Sequence, residues 1–213
     1  MTTKVLNLYA GIGGNRKRWE DVDVTAVELD ETRAQVYRDH FPDDEVIVAD
    51  AHEYLREHYK EFEFIWSSPP CPTHSRTQTM SVLDDKNEWN KSREAVYPDM
   101  KLYQEIILLQ HFGTCDWVVE NVVPYYETLI DGQKLGRHLF WSNFHISGDV
   151  PQKVRVHDTV SDLEEEYGFD LTGYDLDDRR KTIRNCVHPE LGEHVFNAAT
   201  KDRQTTADAW VDA

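Results

Sequence analysis

Short apolar runs alternate with amphipathic stretches along most of this chain, an order that few folds accept. "KVLNLYA" (4–10) reads as a buried strand that runs straight into glycines. "VTAVEL" (24–29), "EVIVAD" (45–50), "FEFIW" (62–66), "DWVVEN" (116–121) and "RHLFWSNF" (137–144) read as further strands. Within 30–40, Ala34, Val36, Tyr37 and His40 fall at helical spacing. Within 98–112, Met100, Leu102, Tyr103, Ile106, Ile107, Leu109 and Gln110 do the same, and a last helix follows Pro189. This alternation predicts an α/β fold, with a mostly parallel sheet covered by helices on both faces. Ligands of such sheets bind beyond the carboxyl ends of the strands, so chemistry is sought there. Segments 72–97 and 145–183 show no clear periodicity.

The strand ends carry unusual residues. "YAGIGG" (9–14) follows the first strand. Its glycines permit a tight turn and close approach to a ligand, though the same loop also serves as a plain turn. Glu28 ends the second strand, where a carboxylate can accept two hydrogen bonds from a ribose diol or simply sit in solvent. Asp50 ends the third, placed to accept from an adenine amino group or to cap the next helix. Three such features on successive strand ends point to a nucleoside-cofactor site. The glycine pattern is not the full dinucleotide fingerprint, which disfavours a nicotinamide cofactor.

Cys71 follows the fourth strand, inside "SSPPCPTHSRTQ" (67–78). Flanking prolines exclude helix interior and central strand, and they hold one side chain in a fixed direction. A buried structural thiol and a nucleophile both fit that description. Glu120 and Asn121 close the fifth strand. An acid ending an apolar strand needs a partner or a task to offset its burial. A thiol and a carboxylate on adjacent loops form a reactive pair rather than a metal set.

The 213 residues suffice for one domain with a proper core. The chain has no apolar run of membrane-spanning length, and no charged-then-apolar leader precedes the first strand. Cys71, Cys115 and Cys186 show no metal spacing and cannot all pair, which suggests a reducing, cytoplasmic setting. Forty acids against 23 bases give a net charge of −17, scattered rather than gathered in a tail. Phosphate attraction dominates non-specific DNA binding, so this balance is unusual for a DNA-binding protein. It fits either an ordinary acidic protein or one adapted to a salt-rich cytoplasm, where repulsion is screened.

The order "LNLYAGIGG", "VELDETRAQVYRDHFP", "VADAHEYL", "SSPPCP", "VVENV", "RHLFWSNF", "RNCVHPELG" resembles the DNA cytosine-5 methyltransferases, over about 4–144 and 183–199. The resemblance implies a Rossmann-like, class I S-adenosylmethionine-dependent methyltransferase fold. It implies a catalytic core at 1–144, a reduced target-recognition region at 145–183, and a C-terminal helix and tail at 184–213. Tyr9, Ala10, Gly11, Gly13 and Gly14 resemble the loop that holds the methionine part of S-adenosylmethionine. Glu28 resembles the ribose ligand, Leu29 stands at the position that stacks on the adenine, Asp50 and Ala51 resemble the adenine side, and Asn185 the asparagine of the late motif. Cys71 resembles the nucleophile that adds to cytosine carbon 6, and Glu120 the acid at N3 and the exocyclic amine. Pro70, Ser75, Asn121 and His138 fall at substrate-contacting positions. No metal is required. The implied partner is double-stranded DNA with the target base flipped out.

This chain departs from the family pattern in several places. Asn7 stands where Asp is usual, Asn15 where an aromatic or apolar residue is usual, and Leu29 where an aromatic is common. Pro72 and Thr73 follow the nucleophile in place of Gln. The motif with two arginines is reduced to Arg137 and His138; either could contact the cytosine O2, and Arg137 is the favoured one. Residues 73–97 occupy the place of a mobile loop, in which Ser75, Arg76, Thr77 and Gln78 would touch DNA backbone and Trp89 would pack on it. Arg179, Arg180 and Lys181 form a small basic spot in an otherwise acidic segment, a phosphate contact or a solvated run. Target recognition would be minimal or shared with a partner subunit or second copy. A restriction–modification or orphan enzyme of a salt-adapted organism or its virus is one reading. A tRNA cytosine-5 methyltransferase and a catalytically silent binding protein are the alternatives.

Overall fold

The computed structural model describes residues 2–76, 96–148 and 159–211, with backbone only from 201 onward. Thr77, Gln78 and Trp89 lie outside the described residues. The elements in chain order are β1 (Thr3–Leu8), β2 (Val22–Glu28), α1 (Glu31–His40), β3 (Glu45–Val48), α2 (Ala51–His58) and β4 (Phe64–Ser67). Then come α3 (Lys101–Phe112), β5 (Asp116–Val122), β6 (Gln133–Leu135), β7 (His138–Ser142), α4 (Val160–Tyr167), α5 (Arg179–Arg184) and α6 (Pro189–Val211).

The strands form one seven-stranded sheet in the order β3-β2-β1-β4-β5-β7-β6. β3, β2, β1, β4 and β5 are parallel, while β7 runs antiparallel to both β5 and β6. The order reverses at β1, so the ends of β1 and β4 open onto the switch point where parallel sheets bind ligands.

Period-two alternation explains how both faces are covered. Val5, Phe64, Trp66, Val118 and Phe140 face one side, packed with Tyr37 of α1 and Leu191, Val195 and Phe196 of α6. Leu6, Leu8, Ile65, Trp117 and Val119 face the other, packed with Leu55 of α2 and Leu102, Ile106 and Leu109 of α3. Trp19, from the β1–β2 connection, stacks on Phe196 with ring centroids 5.1 Å apart.

Two expectations need correction. β6 is absent from the sequence reading because three residues are too short to establish a period. Residues 159–184 hold more secondary structure than their periodicity suggests, namely α4 and α5. α4 begins with a reciprocal capping box between Thr159 and Asp162 and ends at Gly168 in the left-handed conformation. Leu163, Tyr167, Phe169, Leu171 and Ile183 bury themselves against Ile12 and Val36. This segment therefore packs on α1 and the glycine loop.

Candidate active site

The first wall of the site is the loop after β1. Tyr9 has φ 55° and Gly11 φ 57°, so the chain turns sharply as it leaves the sheet. The Glu28 carboxylate holds that turn: Oε2 accepts from the Gly11 N–H at 2.8 Å, and Oε1 from the Asp30 N–H at 2.9 Å. The Ala10 N–H donates to the Val27 carbonyl at 3.0 Å. Gly13 takes φ 87°, and a Cβ there would collide with Phe41. At Gly14 a Cβ would lie 2.6 Å from Cys186 Cβ and from the Val187 carbonyl. The segment after α5 is thus pressed onto the loop, and Asn185 is the exposed C-cap of α5 beside it.

The second wall is the start of α2. Asp50 Oδ1 caps the helix, accepting from the His52 N–H at 2.9 Å and the Glu53 N–H at 3.3 Å. Oδ2 faces Lys101 Nζ at 3.2 Å. Burial alone would raise the Asp50 pKa, but these donors and Lys101 together lower it. Ala51 is buried beneath the cap, whereas Leu29 is 70 % exposed next to Glu28.

These features suit a nucleoside cofactor. A Cβ on Gly11 would meet no atom within 4 Å, so the backbone there is open to a ligand. An exposed apolar side chain lies beside a carboxylate, and Asp50 is itself exposed, with Oδ2 facing Lys101.

The third wall carries the reactive pair. The Cys71 loop closes a turn in which the Cys71 carbonyl accepts from the His74 and Ser75 N–H groups, each at 3.0 Å. Asn121 Nδ2 donates to the Pro69 carbonyl at 2.9 Å, tying the end of β5 to that loop. A bridge between Ser75 and Pro124 and a bond from the Tyr125 N–H to the His74 carbonyl extend the tie. Cys71 is half-buried, Pro70 is exposed, and Arg76 Nε reaches the Pro124 carbonyl at 3.4 Å. Burial pushes the Cys71 thiol pKa up and the nearby Glu120 charge adds to this, while Arg137 and Lys181 oppose it. The charges of Glu120, Arg137 and Lys181 thus all bear on the Cys71 thiol.

Glu120 is 6 % exposed. Its Oε1 lies 2.6 Å from His138 Nδ1, and Arg137 Nε donates to His138 Nε2 at 3.2 Å. Both ring nitrogens of His138 are thus occupied, which leaves exposed Arg137 as the side chain with groups turned elsewhere.

The sequence reading passes over Glu105, which is 1 % exposed on α3. It accepts from Tyr9 Oη at 2.6 Å, Ser67 Oγ at 2.6 Å and His52 Nδ1 at 3.0 Å. One carboxylate thereby joins the loop after β1, the end of β4, the start of α2 and α3. The available signal was an acid inside the apolar stripe of Leu102, Ile106 and Leu109. Asn7 and Asn15, two departures from the family pattern, form a buried pair: Asn15 Nδ2 donates to Asn7 Oδ1 at 2.8 Å, and Asn7 Nδ2 to Asn15 Oδ1 at 3.4 Å.

The sheet order and the ligand-facing strand ends define a Rossmann-like methyltransferase fold. Residues 3–100 match the family model "C-5 cytosine-specific DNA methylase", and the resemblance carried by the motifs is thereby shown over that stretch. Glu120, Arg137, His138 and Asn185 lie beyond the matched residues. No curated protein matches the chain. Among solved structures, a SAM-dependent methyltransferase from Agrobacterium tumefaciens is similar at 13 % identity and TM-score 0.40. That match covers 59 % of this chain and 40 % of the Agrobacterium protein. A Spodoptera frugiperda DNMT2 variant is similar at 21 % identity and TM-score 0.37, covering 57 % of this chain and 36 % of that protein. Among the described residues no helix is long and apolar enough to cross a membrane.

Proposed function

We propose that this protein methylates carbon 5 of cytosine in DNA, with Cys71 as the nucleophile and S-adenosylmethionine as the cofactor. The observation that carries this reading is the bond from Asn121 to the Pro69 carbonyl, which fixes the Cys71 loop beside the Glu120 end of β5. Gly11, Glu28, Leu29 and Asp50 are the residues that would hold S-adenosylmethionine, which supplies an activated methyl group when bound.

Cytosine carbon 5 is a weak nucleophile. Addition of the Cys71 thiolate to carbon 6 converts the ring to an enamine. Protonated Glu120, hydrogen-bonded to N3, stabilises the electron density that this addition drives onto the ring. Arg137 would neutralise charge at O2, and its positive charge also favours the Cys71 thiolate. Once carbon 5 carries the methyl group, loss of its proton restores the double bond and expels the thiolate. A base inside a duplex cannot be reached by Cys71, so the reaction needs a flipped base. Pro70 and Ser75 would line the pocket for that base, while Asn121, whose amide is taken by the Pro69 carbonyl and the Val122 N–H, would hold the loop rather than the base. The core at 1–144, the region at 145–183 and the returning helix at 184–213 are proposed as the functional divisions. The charge of −17 supports activity in a salt-rich cytoplasm, where the flipped base must supply more of the binding than phosphates do.

The test is covalent trapping on 5-fluorocytosine, whose substituent cannot leave as a proton. DNA and tRNA carrying that base are offered side by side, with cofactor. DNA should trap the parent and Cys71→Ser should not. Trapping that survives Cys71→Ser but vanishes on changing Cys115 or Cys186 refutes the assignment. Trapping on tRNA alone reassigns the substrate.

A further inference from the structure

His138 does more than fill a place where the family carries an arginine. It sits on β7, one step along the ladder from the residue opposite Glu120: Glu120 pairs with Phe140 and Val122 with His138. Glu120 and His138 are therefore diagonal neighbours on one face of the sheet, within reach of each other. Their contact is short at 2.6 Å, and their side chains are only 8 % and 6 % exposed. Arginine can donate but never accept. The Arg137 Nε–H on His138 Nε2 therefore requires a lone pair at Nε2, which places the ring proton on Nδ1. Nδ1–H then donates to Glu120 Oε1, and Oε1 is held as an acceptor.

When a carboxylate whose Oε1 accepts a hydrogen bond takes up a proton, that proton goes to Oε2. We propose that His138 is a positioning residue for Glu120. With its tautomer fixed by Arg137, it selects Oε2 as the oxygen that presents a proton to N3 of the substrate base. This rests on the reading of Glu120 given above. As Cys71 bonds to carbon 6, the proton moves from Oε2 towards N3, and the Nδ1–H bond stabilises the carboxylate being formed. No proton leaves His138. When the thiolate is expelled, the N3 proton returns to Oε2. Arg137, beside β7, is the charged group bonded to this pair, and the Glu120 charge in turn acts on the Cys71 thiol.

Two measurements test the proposal, and the first needs no substrate. Nitrogen-15 NMR of histidine-labelled protein, with the His138 signal identified by its loss in His138→Gln, should show a protonated Nδ1 and a bare Nε2. Arg137→Met should convert that signal to a tautomer mixture. A parent protein with the proton on Nε2 overturns the proposal whatever the enzyme's substrate.

The second measurement is the rate of 5-fluorocytosine trapping at fixed pH. His138→Phe should slow trapping by about tenfold to a hundredfold, the rate equivalent of a lost hydrogen bond to a charged group. His138→Gln, which retains an N–H donor, should recover part of that loss. Cofactor binding and thermal melting of each variant report on folding. If the parent traps and His138→Phe matches it in rate, the proposal is wrong while the reading of Cys71 stands. If the parent forms no adduct, that reading fails and the proposal falls with it.

Discussion

Replacing Glu105 by Ala tests whether one buried carboxylate organises the site. The substitution removes the acceptor shared by Tyr9 Oη, Ser67 Oγ and His52 Nδ1. A hydrogen bond to a charged group contributes about 1.5–3 kcal/mol. Three such terms do not add, because they share one acceptor and because the carboxylate's own burial cost disappears with it. Removal of one member of a buried charged cluster typically costs about 3–5 kcal/mol, and that is the expected loss. Tyr9→Phe removes a single donor and should cost about 1.5–3 kcal/mol. Urea unfolding with a common slope measures both. Cofactor affinity by calorimetry should also fall for Glu105→Ala, since Tyr9 occupies the positive-φ turn of the glycine loop. A Glu105→Ala protein within about 1 kcal/mol of the parent, with unchanged cofactor affinity, refutes the reasoning.

The same cluster sets a pH dependence. The hydrogen bond to Glu105 raises the His52 pKa, so the pair's contribution is complete below the unfolded value of 6.5 and fades as pH rises through the higher folded value. His52→Ala should flatten stability against pH in that window, and a curve parallel to the parent's refutes the pairing. Burial and the Glu120 charge hold the Cys71 thiol pKa up. Glu120→Gln should therefore shift iodoacetamide alkylation of Cys71 to lower pH, as followed by mass spectrometry. An unshifted profile separates the two groups electrically. Asn7→Ala and Asn15→Ala each leave a buried amide without its partner, at about 1–3 kcal/mol. The double variant should lose less than the sum, and strict additivity in a double-mutant cycle refutes the coupling.

Strands whose apolar residues are continuous, such as 4–10 and 116–121, were legible because a parallel sheet buried on both faces requires such runs. The strand-end residues Glu28, Asp50, Cys71 and Glu120 were legible from position alone. Glu105 was not, because an acid at the edge of an apolar stripe is read as solvated until its partners are known, and those lie 38, 53 and 96 residues away. The occupied nitrogens of His138 were hidden for a related reason. Its partners are its own neighbour and a residue across the ladder, and no spacing rule connects 120 with 138. Asn7 and Asn15 looked like separate departures from the family pattern. Only the fold shows that the two side chains bond to each other. α4 and α5 carried cap signals, but their short apolar faces gave too few repeats for a period.

The glycine loop is completed from far along the chain. Cys186 and Val187 fill the space over Gly14, the absent side chain of Gly192 lets its backbone seat against Asn15, and Trp19 Nε1 donates to the Gly192 carbonyl across a separation of 173 residues. Contacts of that range form late, because a long loop must close before they repay its entropy. During synthesis the loop after β1 emerges early, and its finished shape waits for the segment that precedes and begins α6. A chain interrupted after β7 would lack both the backing of this loop and Leu191, Val195 and Phe196, which cover one face of the sheet. Such a chain would be cut at 9–16 by a protease that leaves the finished protein intact there.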